Sequence, residues 1–357
     1  MTNNPLRKSF VIAIQPDDNG PSDSSSPIWS KILRDAGHEV RTVNVFSADI
    51  LAQLQGCEGL MWRHIHHPDN LQVSRRLLPV LERTLRLPIY PNQNTCWHYD
   101  DKIAQHYLFK VLDIPAPNTW VWFDKDLALA WATKANYPLV AKLSGGAGSD
   151  NVVKLESFIE AERLIAKLFG DGVRTLQSRK EPLGWGRGRL LKSMKMTRRA
   201  LRNVISYALL GKEPGPEPTG TYWELHKNYL LCQEFLAGNE YDTRITVIGN
   251  RAFGFRRFNR PNDFRASGSG RIDWNPTQID PAFIELSFET AAKLKMQSCA
   301  LDFLRRGKDP IICEVSYTFV SKIVHACPGH WDSDLKWHDG QMLPEEAEIS
   351  DFLSDLG

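Results

Sequence analysis

Two acids stand inside apolar runs in the stretch CALDFLRRGKDPIICEVSYTF, Cys299 to Phe319. Asp302 interrupts the first run and Glu314 the second. The runs flank Gly-Lys-Asp-Pro, a turn signal, so the stretch reads as a β-hairpin. With the turn centred on Lys308, each acid lies six residues from it. Symmetric closure then sets the two carboxylates opposite each other on one face, and Ser316, two residues on, points the same way. Like charges opposed across a sheet are destabilising. A pair so placed offers oxygen ligands, which suit a hard cation such as Mg²⁺ better than zinc, with substrate phosphates completing the shell. The alternative is two solvated surface acids.

Three further segments carry groups for an anionic nucleotide. In LVAKLSGGAGSD, Lys142 ends an apolar strand and precedes Gly145, Gly146 and Gly148 among serines. Glycine lets backbone N–H groups converge on an anion, and a nearby ammonium adds charge; a flexible hairpin loop has the same composition. In YDDKIAQHYLF, Lys102 falls in the first turn of a helix, where the macrodipole disfavours a cation unless a phosphate docks beside it. In LLCQEFLAGNEYDTRITVIG, a strand runs into Gln233, Glu234 and Phe235, then Glu240, Asp242 and Arg244. Extended backbone there can meet the edge of a planar base, and a carboxylate beyond it can take ribose hydroxyls; a solvated hairpin would look alike. The cluster RHIHH (63–67) has no partner at metal spacing and reads as a substrate contact after a parallel strand.

The elements that must hold these groups change character along the chain. FVIAI (10–14), EVRTVNV (39–45), GLMW (59–62) and LPIY (87–90) read as strands, with helical spacing in PIWSKILRDAG and DNLQVSRRLLPVLERTL between them. That alternation predicts a parallel open sheet. QPDDNG after the first strand, in place of G-x-G-x-x-G, argues against a dinucleotide site. From about 95 onward come a helix ending at Ile114-Pro115, a strand–Gly loop–strand unit, and the helix SFIEAERLIAKLFG with Gly170 as its C-cap. A basic stretch, 179–202, follows, with nine Lys/Arg against one acid and a Pro/Gly linker beyond it. The remainder is strand-rich, with a helix over Ile284 to Gln297 and an acidic amphipathic tail, PEEAEISDFLSDLG. The division expected is 1–95, an α/β substrate domain; 96–235, a lid domain with a basic insertion at 179–220; and 236–357, a metal-binding catalytic domain.

At 357 residues, 42% hydrophobic and 24% charged, the chain is an ordinary globular one with room for two or three cores. Its formal charge of +2 argues against a general polyanion or nucleic-acid binder. Six scattered cysteines without CxxC spacing, no signal peptide and no 18-residue apolar span predict reduced thiols, a cytoplasmic setting and no transmembrane segment.

Taken in order, a lysine on a helix, a lysine before a Gly loop, Q-E-F, a D-x-R strand, and Asp and Glu twelve apart resemble the ATP-grasp superfamily, most closely its RimK-type branch of amino-acid ligases. The resemblance runs from about Asp100 to Ser316. YDTRITVIGN resembles that branch's D-I-R strand, and NDFRAS (262–267) its D-F-R-S element. It implies an α/β and α+β chain: an ATP-grasp fold behind a Rossmann-like N-terminal domain. It further implies that Lys102 and Lys142 contact ATP phosphates under a loop from Ser144 to Ser149 that includes Gly145, Gly146 and Gly148. Gln233, Glu234 and Phe235 would hold adenine, and Glu240 the ribose. Asp302, Glu314 and Ser316 would hold one or two Mg²⁺, and Arg244, Arg257 and Arg265 would face the substrate carboxylate and an acyl-phosphate. The expected reaction joins a small-molecule carboxylate to an amine. Where the family has Asn two residues after the metal-binding Glu, this chain has Ser316, and the Pro-Gly that follows is absent. The basic stretch lies outside the shared pattern. It reads either as a solvated helical hairpin or as a contact for an anionic acceptor: a uronic-acid glycan precursor, a lipid-linked glycan diphosphate or an acidic peptide. A regulatory ATP binder holding an anionic partner is the rival function, and homodimerisation stays open.

Overall fold

The computed structural model describes residues 9–17, 23–146, 151–178 and 221–357. The basic stretch 179–202 and Gly148 lie outside them. By density of contacts the chain groups into two units. The first comprises 1–119, 142–152 and 233–357; the second comprises 120–141 and 153–232.

The first unit opens with β1 (Val11–Ile14), β2 (Glu39–Thr42), β3 (Gly59–Met61) and β4 (Ile89–Tyr90), in the order β2-β1-β3-β4 with every pairing parallel. Strands covered on both faces need continuous apolar runs, which is how β1 and β3 are written. Between them come α1 (Ser26–Asp35), the short α2 (Ile50–Gln53) and α3 (Pro68–Pro79), which runs on as a wider turn over Val80–Thr84. After β4 follow α4 (Gln93–Cys96) and α5 (Lys102–Val111). Asp101 caps α5 by accepting from Ala104 N at 3.0 Å, so Lys102 opens the helix as the sequence predicts.

The second unit holds most of β5 (Thr119–Trp122), α6 (Lys125–Ala132), most of β6 (Leu139–Lys142) and β7 (Val152–Leu155), α7 (Phe158–Phe169), β8 (Val173–Ser178), β9 (Thr221–His226) and most of β10 (Leu230–Glu234), with the end residues Thr119, Lys142, Val152, Gln233 and Glu234 counted in the first. Its four-stranded sheet has the order β5-β10-β6-β7, and β8 pairs with β9. Gly170 is the C-cap of α7, as expected, but with φ −100° rather than the left-handed conformation.

The last part of the first unit is a seven-stranded sheet. It contains β11 (Tyr241–Ile248), β12 (Arg251–Phe258), β13 (Ile272–Asp273), β14 (Ser298–Arg306), β15 (Asp309–Ser316), β16 (Gly329–Asp332) and β17 (Trp337–Asp339). The order is β15-β14-β11-β12-β16-β17, antiparallel throughout, with β13 also on β12. The buried helix α8 (Pro281–Leu294) presents Phe283, Ile284 and Leu294 to the core it shares with Ile245, Leu301 and Ile312. After β15 come the short α9 (Ser321–His325) and α10 (Pro344–Leu356). The acidic tail is therefore a helix, and its apolar face is not left to solvent. Ile349 and Phe352 complete a core with Ile12, Trp29 and Met61 of the parallel sheet and α1. Phe352 lies so close to Gly59 that a Cβ there would collide with its ring.

Candidate active site

The hairpin of β14 and β15 turns through Gly307 and Lys308, with Arg306 opposite Asp309 and Gly307 at φ +63°. The turn is thus two residues long, not centred on Lys308. Continued without interruption, this register would set Asp302 against Cys313. A β-bulge between Asp302 and Phe303 shifts the pairing by one and puts Asp302 opposite Glu314 and Ala300 opposite Ser316. The expected pairing is present, but the bulge produces it rather than symmetric closure.

Across the same face the register lines up more charge. Arg244 of β11 is opposite Asp302, and Asp242, two residues earlier, is opposite Arg257 of β12. A row of Arg257, Asp242, Arg244, Asp302 and Glu314 therefore crosses four strands. Arg244 grips Asp302 through Nε and Nη2 at 2.6 and 2.7 Å. Arg257 grips Asp242 at 2.7 and 2.6 Å and reaches Asp302 at 2.9 Å. These are forked pairs of the kind that a planar guanidinium makes well. Burial alone would raise the Asp302 carboxyl; Arg244 and Arg257 outweigh it and hold the acid well below the usual carboxylate range. For Asp242, with one guanidinium gripping it, burial wins and the carboxyl is raised.

Glu314 is more open, its side chain 35% exposed, and Lys102 Nζ lies 3.4 Å from its Oε1. Lys102 itself is buried. Its ammonium also donates to Gly146 O at 3.0 Å, while its backbone N donates to Ser144 O at 2.9 Å. One lysine thus ties the head of the Gly-rich loop to the carboxylate of β15. Lys142 joins this group: burial lowers its pKa, Cys313, Glu314 and Asp302 pull it back up, and Lys102 lowers it further. Asn151 Nδ2 holds Gly145 O at 2.8 Å, and a Cβ on Gly146 (φ +109°) would collide with Asn151.

The other expected residues are placed differently. Gln233 donates to Thr119 Oγ1 at 3.1 Å. Glu234 accepts from Asn118 Nδ2 at 2.6 Å and is ion-paired with Arg306. Phe235 meets Phe264 edge-on at 5.7 Å between ring centroids, which brings the NDFRAS loop beside the Q-E-F segment. Glu240 is exposed. Arg265 folds onto Asp263 of its own loop at 2.7 Å. Ser316 Oγ accepts from Thr318 N and donates to Thr318 O, at 3.1 and 3.0 Å.

Among the described residues no three His, Cys, Asp or Glu side chains converge as a metal cage. A cation here would depend on Asp302 and Glu314 with oxygens from substrate and water, the usual habit of Mg²⁺. The donors fit: Glu314 is accessible, and the three arginine contacts leave Asp302 one of about four acceptor positions. Ser316 fits less well, because its hydroxyl is committed to Thr318.

Sequence reasoning passed over several residues. Asp100 accepts from Gly146 N at 2.8 Å, beside the head of the Gly loop. Gln105 of α5 pins β15 by donating to Val315 O at 2.8 Å and accepting from Val315 N at 3.4 Å. In place of the missing Pro-Gly, Tyr317 OH donates to His64 O, and Arg63 Nη2 donates to Phe319 O at 2.5 Å. His64, from the RHIHH cluster, is enclosed by Trp62, Tyr99 and Tyr317, and burial pulls its pKa down to about 3.

Residues 220–324 match the RimK-like ATP-grasp domain family. Over 109 residues the chain is 28% identical to alpha-aminoadipate–LysW ligase LysX of Saccharolobus solfataricus, a match covering 29% of this chain and 40% of that protein. The chain therefore spans less than half the length of that curated relative. A RimK domain ATP-grasp protein from Sphaerobacter thermophilus is similar in structure, with a TM-score of 0.53 at 14% identity, covering 96% of this chain and 99% of the other. D-alanine–D-alanine ligase from Bacillus anthracis, complexed with ATP, is similar with a TM-score of 0.53 at 13% identity, covering 98% and 99%. The chain has the ATP-grasp fold, and within it residues 220–324 match the RimK-like ATP-grasp domain family.

Proposed function

We propose that this protein is an ATP-dependent ligase that joins a carboxylate to an amine. The observation that carries the proposal is the bridge made by Lys102, 3.0 Å from Gly146 O and 3.4 Å from Glu314 Oε1. It sets a loop suited to phosphates beside a carboxylate suited to a hard cation.

In this reading Lys102, Lys142 and the N–H groups of Ser144–Gly146 hold the phosphates of ATP. Gln233, Glu234 and Phe235 offer backbone to adenine, and Glu240 its carboxylate to ribose. Glu314 and one Asp302 oxygen would hold Mg²⁺, which when bound would offset phosphate charge. The substrate carboxylate attacks the γ-phosphorus, the bond to ADP breaks, and an acyl-phosphate forms. The amine then attacks the acyl carbon and phosphate departs with the bonding pair. Arg244, Arg257 and Arg265 supply positive charge where oxyanions develop. Arg244 and Arg257 are held in place by Asp302 and Asp242, so they need little reorganisation.

The basic stretch 179–202 suggests an anionic acceptor, such as a uronic-acid glycan precursor or an acidic peptide. A functional division near 95 and 235 belongs to the same reading. One observation favours a nucleotide binder without turnover: Ser316 stands where the family has Asn and is tied to Thr318. Release of ADP should be measured against panels of carboxylates and amines, singly and together. Turnover that needs both is expected. Tight ATP binding with no release of ADP under any pairing would favour the regulatory alternative instead.

A further inference from the structure

Asp100 sits in the left-handed backbone region, at φ +53°, just before the cap Asp101 and Lys102. Few residues other than glycine go there, and Asp is one of them. The conformation aims its carboxylate at the Gly-rich loop. Asp100 Oδ1 accepts from Gly146 N at 2.8 Å and lies 3.8 Å from Lys102 Nζ, with only 6% of the side chain exposed. A loop N–H and an ammonium are the two kinds of group that a nucleotide phosphate would take.

We propose that Asp100 is a resident anion: it occupies the phosphate-binding donor of the Gly-rich loop until a nucleotide displaces it, and so sets the affinity for phosphate-bearing ligands. The inference rests on the ATP reading above and adds a residue to it. A buried N–H left without an acceptor, beside a buried ammonium, is costly. The Asp100 carboxylate meets that cost in the ligand-free protein with a charge-assisted bond. When phosphate oxygens take Gly146 N and Lys102 Nζ, the carboxylate gives up the Gly146 N–H and faces negative charge. Every phosphate that binds must therefore overcome an internal competitor. Asn151 holds Gly145 from its other side at 2.8 Å, and the Lys102 backbone N holds Ser144 at 2.9 Å. The loop keeps these two ties when Asp100 leaves. The competition concerns phosphates alone, so adenosine should not feel it.

The test is calorimetric binding of ADP, ATP and adenosine, each with Mg²⁺, to the full-length wild-type protein, Asp100→Asn and Asp100→Gly. Asn keeps the shape and tolerates the left-handed backbone; Gly removes the side chain and relaxes that backbone. Both variants should bind ADP and ATP about 10-fold more tightly, the scale of one charge-assisted hydrogen bond, with adenosine unchanged within about twofold. Equal or weaker ADP binding by Asp100→Asn would mean that the carboxylate positions Lys102 rather than competing with phosphate, and would overturn this inference alone. A parallel gain for adenosine would also overturn it, by showing a general loosening of the site. A wild-type protein that binds no nucleotide would refute the ATP reading and this inference together.

Discussion

Glu314→Gln keeps the shape of the side chain and removes its charge. Because Glu314 is the open member of the carboxylate pair, this variant should lose Mg²⁺-dependent turnover by more than about 100-fold, with its melting temperature little changed. Steady-state ADP release over a Mg²⁺ titration, beside a thermal melt, checks both halves; wild-type turnover would remove Glu314 from the metal site. Arg257 behaves differently because it is structural as well. Arg257→Ala would strand Asp242 and part of Asp302 in a poorly solvated row, and should cost about 3–5 kcal/mol in urea unfolding. Combining Arg257→Met with Asp242→Asn removes both charges and should recover most of that loss. The residue types of this row were legible in the sequence, but their partnership was not. An Asp and an Arg two apart on a strand give no sign that each is matched across a different neighbour. Asp302 reads from sequence as a metal ligand, and the structure adds that it anchors Arg244 and Arg257 with one acceptor position to spare.

At the scale of elements, the β14–β15 hairpin was legible from its apolar runs and turn residues, and the bulge was not. Pairs across a two-residue turn are an odd number of positions apart, whereas Asp302 and Glu314 are twelve apart, so one extra residue has to be absorbed. Which residue is absorbed depends on packing: Ile312 must face the core while Glu314 faces the site. Helix α10 gave the opposite difficulty. Its amphipathic pattern was plain, yet two of its acids are inside. Glu345 accepts from Ser25 and Ser321 Oγ at 3.0 and 2.9 Å, and Glu348 accepts from Trp29 Nε1 at 2.8 Å. Burial, then the nearby Glu345, pushes the Glu348 carboxyl up to about 8; Trp29, Arg63 and Tyr90 oppose the shift. The folded state thus keeps this proton where the unfolded chain, with an ordinary glutamate pKa near 4.5, has lost it. Stability from Glu348 is full below that lower value and is lost as the pH rises toward about 8, by ~3–5 kcal/mol. Glu348→Gln imitates the protonated acid. It should match wild type in acid, exceed it in mild alkali, and flatten the stability profile between. Urea titrations across that range would show it, and parallel profiles would refute the buried-proton account.

For the whole molecule, the parallel sheet, the antiparallel sheet and their sequence of elements were readable from periodicity, because each strand's apolar pattern reports its own burial. What a local pattern cannot report is which distant segment covers a face. The core of β1, β3 and α1 is finished by Ile349 and Phe352, nearly three hundred residues after Met61. During synthesis, at about 5–20 residues per second, the first sheet must wait tens of seconds for its last layer. Until then Ile12, Trp29 and Met61 offer an apolar face to chaperones and proteases. Ribosome-bound chains arrested with residue 340 just outside the exit tunnel should be cut readily within residues 10–62 by limited proteolysis. Chains arrested with residue 357 outside should resist. Equal protection at both lengths would mean that the early sheet stands without the final helix. If the difference is found, the moment at which this protein becomes safe from its surroundings is set by the emergence of one short helix, and codon speed ahead of residue 344 becomes a determinant of its yield.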